Sequence, residues 1–153
     1  MTKLGLVLRQ VHQSETELGR QLAALVDRHR SDADAVHVGQ LLGGWTARHV
    51  RRIAETAEGL ELGPADGLAD APAGELARPG PDSGTALLAD LRRVHLAAAG
   101  ASVDWVVLGQ AAQAARDEGL LALVQECHPE TLRTQRWALA RIKESAPQLI
   151  TVS

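Results

Sequence analysis

A carboxylate, Glu15, occupies a position in this sequence where a helix should carry an apolar side chain. The apolar residues around it recur at spacings of three and four, which is the pattern of one buried helix face. His49 interrupts a second stripe of the same kind. Both are candidates for chemistry, because a buried polar group needs a partner. The first stripe consists of Leu4, Leu8, Val11, Leu18, Leu22 and Leu25, and the second of Val38, Leu42, Trp45 and Ile53.

Counting along the chain predicts that these two side chains meet. Glu15 lies about 16 residues before a turn expected near Ser31, and His49 about 18 residues after it, so the two fall within about one helical turn of each other. His12 precedes Glu15 by one turn and can join from the edge. When residues are counted from the turn expected between helices three and four, His95 should lie well away from this layer.

Two interpretations of the Glu15–His49 layer stay open. In the first, the two side chains form a buried hydrogen-bonded pair that fixes the register of the helices. In the second, they are metal ligands, and His128, His12 or Asp104 completes the site. Carboxylate and imidazole suit iron, zinc, manganese or copper without selecting among them, so the cofactor would be iron or another transition metal. Metal-free catalysis at the layer is a third reading.

Four helical segments position these residues. No segment shows the alternation of period two that would indicate a strand. The first runs from about Thr2 to Arg30, and the capping residues "SDAD" precede a second that ends near Glu58. The third helix begins in the stretch "DSGTALLADLRRV" and continues to Ala115. The fourth helix follows the turn signal "RDEG", and Pro147 should end it. The sequence therefore predicts one all-α domain over 1–153, packed as a four-helix bundle.

The connections between the helices have different lengths. Short turns join helices one and two, and three and four, whereas residues 59–83 form a long loop rich in proline and glycine. That loop can run the length of the bundle, which would leave helix three parallel to helix two. His128 and Asp104 then fall near the Glu15–His49 layer. In the alternative, a plain up-down bundle with a slack loop, Ser102 and Gln135 face the layer instead.

Two antiparallel hairpins joined by a long crossover resemble the ferritin-like superfamily. Residues Trp105–Gln148, with a Gln-Ala-Ala-Gln stretch, an Arg-Asp turn, a Cys-His-Pro and a late Trp, are similar to a group of largely uncharacterised bacterial ferritin-like proteins. In metal-oxidising members, this resemblance implies a Glu on helix one, Glu-x-x-His on helices two and four, and a carboxylate on helix three. Glu15 and His49 match that pattern, Thr46 replaces the Glu of helix two, and Asp104 is the carboxylate of helix three; helix four lacks Glu-x-x-His.

Composition limits the partners and the compartment. A formal net charge of −3 argues against nucleic-acid binding, and no apolar run is as long as a membrane span. A single cysteine, Cys127, excludes an intramolecular disulfide, and the first apolar run is too short for a signal peptide, so we expect a cytoplasmic protein. Glycines inside helices indicate close helix approach, and we expect a homodimer. These glycines are Gly43, Gly44, Gly100 and Gly109.

Two classes of function follow from the sequence. The favoured one is a non-enzymatic interaction or regulatory module with a protein partner and a degenerate polar core, because carboxylates are few and tyrosine is absent. The other is a metal-binding protein whose reduced ferritin-like site serves redox or storage chemistry. If such a site is catalytic, the resemblance implies a metal-dependent oxidoreductase of ferritin-like type.

Overall fold

The computed structural model describes residues 2–57 and 83–151, and these residues contain no strand. The predicted all-α class is confirmed. The predicted long connection over 59–83 lies outside the described residues, except for its last residue. The four helices are α1 (Lys3–Arg28), α2 (Ala33–Thr56), α3 (Ser83–Ala115) and α4 (Glu118–Thr151).

The helix ends follow local capping chemistry. The Thr2 hydroxyl accepts a hydrogen bond from the Gly5 amide at 3.0 Å and starts α1. Asp32, within the predicted "SDAD" cap, accepts one from the Ala35 amide at 3.0 Å and starts α2. In the predicted turn between α3 and α4, Arg116 adopts a φ of 54°. At the starts of α1, α2 and α4 a side-chain oxygen accepts from a free backbone amide, which is the usual role of a cap.

The predicted end of α4 at Pro147 is wrong, because α4 continues to Thr151 with Pro129 and Pro147 inside it. A proline removes one backbone donor, so it weakens a helix at that turn without forbidding the next one. The Thr151 hydroxyl donates to the Pro147 carbonyl oxygen and helps to hold the final turn.

Each helix packs against two neighbours. Among the described residues, the backbone of α1 lies close to those of α2 and α3, and the backbone of α4 lies close to the same two helices, while the backbones of the two diagonal pairs stay farther apart. Ser14 bonds Asp104, and Arg28 bonds Asp90, so α3 runs antiparallel to α1. The short first turn makes α2 antiparallel to α1 as well. Helices α2 and α3 therefore run in the same direction at opposite corners of the bundle.

The core consists of two apolar clusters with Glu15 between them along α1. One cluster includes Leu8 and Val11, and the other includes Leu18 and Leu22. Glu15 itself is fully buried. The stripe predicted for α1 is thus confirmed over most of its length, and a polar layer separates the two halves of the core.

The sequence pattern predicts a buried stripe on α4 that is displaced by about one residue from the observed one. Its predicted members are Leu121, Val124, His128, Leu132, Gln135, Leu139 and Ile142. Leu121 and Leu132 are only partly buried, and Leu139 is 38% exposed. Along the second half of α4 small side chains, among them Thr131, Thr134 and Ala138, face the core instead. The buried residues of α4 are Leu120, Leu123, Val124, Cys127, Thr131, Thr134, Ala138 and Ser145.

Glycine has different roles at two positions of α2. A Cβ atom on Gly39 would lie 2.6 Å from Cγ2 of Val26, whereas one on Gly44 would meet nothing within 4 Å. Helices α1 and α2 therefore approach closely at Gly39. The close approach expected at Gly43, Gly44 and Gly100 is absent between the described residues, where the same test finds open space.

The variant Gly39→Ala should lower the free energy of unfolding by about 1–3 kcal/mol, since the stiff Val26 side chain must move. Its matched control, Gly44→Ala, should raise that free energy by about 0.5–1 kcal/mol through helix propensity alone. Denaturant unfolding of both variants measures the difference. Equal stabilities would show that α1 and α2 do not approach closely at Gly39.

Candidate functional site

All four helices contribute one side chain to a layer around Glu15. The Oε1 atom of Glu15 accepts hydrogen bonds from Nδ1 of His49 at 3.1 Å, from Nε1 of Trp105 at 2.7 Å and from the Thr131 hydroxyl at 2.5 Å. Glu15, His49, Trp105 and Thr131 are each at most 1% exposed. The predicted pairing of a buried carboxylate with a buried imidazole is confirmed.

Both ring nitrogens of His49 are engaged by carboxylates. While Nδ1 donates to Glu15, Nε2 lies 2.9 Å from Oε1 of Glu130 on α4. Because a carboxylate only accepts, a ring placed between two of them donates from both nitrogens and is an imidazolium. Burial by itself lowers the pKa of His49, but the hydrogen bonds and charges of Glu15 and Glu130 outweigh burial and raise that pKa above its ordinary value.

Arg48 completes this arrangement at the surface. Its guanidinium forms an ion pair with Glu130, which also accepts from His49. Burial acts to raise the pKa of Glu130, but Arg48 and His49 together hold it below its ordinary value. The indole of Trp105 meets the His49 ring edge to face, with ring centroids 6.4 Å apart. A chain of alternating charge therefore runs from the surface at Arg48 to the centre of the bundle at Glu15.

The donor atoms of this layer do not fit a metal ion. An imidazolium has no lone pair to offer, and Oε1 of Glu15 already accepts three hydrogen bonds. Over residues 2–57 and 83–151, no group of three or more His, Cys, Asp and Glu side chains could hold a metal ion. Among the buried atoms of the described part of this layer, Oε2 of Glu15 has no hydrogen-bond partner.

His12 and His128 are the two histidines expected to complete a metal site. His12 Nδ1 and His128 Nε2 are buried, and each lacks a hydrogen-bond partner among the described residues. Neither nitrogen therefore bonds Glu15, although the charge of Glu15 acts on the pKa of His128.

Burial lowers the pKa of both His12 and His128; for His128 the charge of Glu15 opposes this shift. Burial therefore favours the neutral form of both rings, whereas the carboxylates around His49 favour its charged form.

Asp104 lies at the height predicted for it but points along the flank between α1 and α3. Its carboxylate accepts hydrogen bonds from Ser14 and, at 3.4 Å, from Gln10. It follows from helix geometry that Asp104 points about 100° away from its neighbour Trp105, which faces the core. His95 was expected to lie away from the layer, and its Nδ1 is 3.1 Å from the backbone oxygen of Gln135.

A second buried carboxylate, Asp90 of α3, forms an ion-pair cluster with α1. It accepts two hydrogen bonds from Arg28, at 3.0 and 2.8 Å, and one from Arg93 at 2.9 Å. Its Oδ2 atom also lies 2.6 Å from Nε2 of His29. Burial acts to raise the pKa of Asp90, but Arg28 and His29 hold it below its ordinary value. The cluster ties the end of α1 to the beginning of α3.

Several of these groups were not predicted as site residues, although the sequence contains signals for them. Asp90 lies three residues after Leu87 and four before Val94, which places it on the buried stripe of α3. Trp105 lies on the same apolar stripe of the sequence as Leu91, Val94 and Ala98, and a buried indole N–H usually finds an acceptor. No pattern in the sequence pointed to Thr131 as the donor to Glu15, because the stripe assigned to α4 was rotated.

The thiol of Cys127 lies in the same half of the core and is fully buried. Burial, followed by the charges of Glu126, Glu15 and Glu130, raises its pKa to about 12. A thiol with so high a pKa is protonated at pH 7 and does not act as a nucleophile.

Comparisons with known proteins find no relative. No protein-family model matches the chain, and neither a curated protein nor a solved structure matches it. The ferritin-like resemblance therefore stays a prediction. Over the part of the chain that the structure describes, none of the helices combines the length and apolar character required to cross a bilayer.

Proposed function

We propose that this chain is a non-enzymatic helical-bundle protein that serves as an interaction or regulatory module, with the Glu15–His49 layer as a structural element. The observation that carries the proposal is the engagement of both His49 nitrogens by carboxylates. A histidine that donates from both ring nitrogens presents no lone pair to a metal ion or to a proton, and this supports a structural role for the layer.

The charges of the layer support a structural role. Arg48, Glu130, His49 and Glu15 alternate in sign and sum to zero, which limits the cost of burying them. One side chain from each helix takes part in the contacts around Glu15. A shift of one helix by a single turn would break several of these bonds at once and leave buried groups unpaired. The layer is therefore suited to fix the register of all four helices.

The ferritin-like topology and the cytoplasmic location belong to the same proposal. Helices α2 and α3 run in the same direction, and residues 58–82 join them. Extended chain spans about 3.3 Å per residue, so this segment is long enough to reach from the end of α2 to the start of α3. A buried, protonated Cys127 as the only cysteine of the chain is consistent with a reducing compartment.

Metal analysis tests the structural assignment. The full chain, purified without a metal-affinity tag, should contain far less than one equivalent of Fe, Mn, Zn or Cu. Anaerobic addition of Fe(II) should leave the denaturant midpoint unchanged, because a ligand stabilises only a state that binds it. The variant Glu15→Gln serves as the control for any effect seen. One equivalent of bound metal that raises the midpoint of the wild type, and is lost in Glu15→Gln, would contradict the proposal in favour of a metal-binding protein.

A further inference from the structure

The outward side of α3 carries an uncharged apolar stripe. Between Arg93 and Arg116 the only charged residue is Asp104. Exposed fractions along this stripe are 49% for Leu96, 62% for Val103 and 47% for Val107. These residues, together with Gly100, follow one another at spacings of four, three and four and so lie on one side of the helix. We name Leu96, Gly100, Val103, Val106 and Val107 the α3 face.

The α3 face extends onto α1. Leu6, which is 54% exposed, lines a shallow hollow of about 160 Å³ together with Val107 and Asp104. Single exposed apolar residues are ordinary, but a continuous apolar stripe marks a contact surface. A Cβ atom on Gly100 would meet nothing within 4 Å, so there is room at the middle of the stripe for another backbone to approach.

We infer that the α3 face binds a second copy of this chain, with the two α3 helices antiparallel about a two-fold axis near Ala98 and Ala99. The inference rests on the proposed function, since it names the partner of the module. Asp104 follows Arg92 and Arg93 by about 17 Å along the helix axis. An axis midway between them brings the arginine end of one copy to Asp104 of the other, twice by symmetry.

The distribution of charge favours a second copy over a different partner. The stripe is neutral, and it has a cationic end at Arg92 and an anionic end at Asp104, so it is complementary to itself when reversed. A strongly acidic or strongly basic partner would find no matching charge along the neutral centre. Across such an axis, Leu96 of one copy lies near Gly100 of the other. A large side chain therefore faces a residue that has no side chain.

Sedimentation of the full 153-residue chain tests this inference. The wild type should be a dimer at micromolar concentration. The variant Gly100→Glu should weaken association by at least about 100-fold, because Gly100 lies beside the two-fold axis and the change brings two like charges together at the interface. Leu41→Glu is the matched control: Leu41 is 52% exposed but lies on α2, so the variant should remain dimeric. Circular dichroism checks that both variants fold.

Cross-linking tests the position of the axis. In Ala99→Cys the new thiols of two copies lie close together, so mild oxidation should give a covalent dimer, whereas Leu41→Cys should stay uncrosslinked. The buried Cys127 does not compete. A monomeric wild type, a dimer indifferent to Gly100→Glu, or a dimer that Ala99→Cys fails to cross-link would each overturn the inference. Metal bound by a wild type that still dimerises through this face would instead contradict only the structural assignment of the Glu15–His49 layer.

Discussion

The variant His49→Leu should lose about 3–5 kcal/mol of unfolding free energy, because it leaves a buried carboxylate without its cationic partner. Glu15 is fully buried and would keep only Trp105 and Thr131 as donors. Neither supplies a positive charge. The loss of His49 destabilises the Glu130 carboxylate less, since Glu130 keeps its ion pair with Arg48 and is partly exposed.

Adding Glu15→Leu to His49→Leu should restore part of that stability. With the carboxylate removed, no buried charge is left alone, and leucine continues the apolar stripe of α1. The double variant should still be about 1–3 kcal/mol less stable than the wild type, since the indole N–H of Trp105 loses its acceptor. Thr131 is less affected, because its hydroxyl also lies 3.4 Å from the backbone oxygen of Cys127.

Denaturant unfolding of the wild type, both single variants and the double variant measures this coupling. His95→Leu is the matched control for His49→Leu, since His95 bonds only a backbone oxygen and its loss should cost about 1 kcal/mol. If the double variant is less stable than His49→Leu alone, Glu15 and His49 are not a stabilising pair.

The second large effect is expected at Asp90. Asp90→Ala should lower the free energy of unfolding by about 2–4 kcal/mol, because Arg28 and His29 lose their buried anion and their hydrogen bonds to it. The matched control is Asp27→Ala on α1, whose ion pair with Arg30 is exposed and should contribute less than about 1 kcal/mol. If Asp90→Ala lowers the free energy of unfolding no more than Asp27→Ala does, the cluster does not hold α1 to α3.

The Glu15–His49 layer and the Asp90 cluster should make the free energy of unfolding depend on pH in opposite ways. The pKa of His49 is raised on folding, so its contribution is complete below the ordinary value of 6.5 and is lost as pH rises through the folded pKa. The pKa of Asp90 is lowered, so its contribution is complete above the ordinary value of 3.8 and is lost as pH falls through the folded pKa. Unfolding measured across pH should show His49→Leu without the alkaline loss and Asp90→Ala with a smaller acid loss.

The sequence predicted the helices and the central pair well, because both depend on short-range information. Helical stripes depend on residues three and four apart, and the short turn near Ser31 fixes the height of His49 relative to Glu15. The sequence could not predict how α3 and α4 are rotated about their own axes. Trp105 and Thr131 were therefore not recognised as donors to Glu15.

The Asp90 cluster was missed for a different reason. Its partners, Arg28 and His29, lie about sixty residues earlier in the sequence, and the register between α1 and α3 is set across the long connection. Hairpins transmit register through a short turn, whereas a long segment does not. Contacts within each hairpin were thus predictable, and contacts between the hairpins were not.

The protonation state of His49 is the most direct test of the structural assignment. Nitrogen NMR of the imidazole distinguishes a ring with two N–H groups from a neutral ring and from a metal-bound one. At pH 7 we expect His49 to show two protonated nitrogens, with a spectrum unchanged by Zn(II) or by a chelator, while His12 and His128 appear neutral. A neutral His49 whose nitrogen signal shifts on adding Zn(II) and returns on adding chelator would contradict the account.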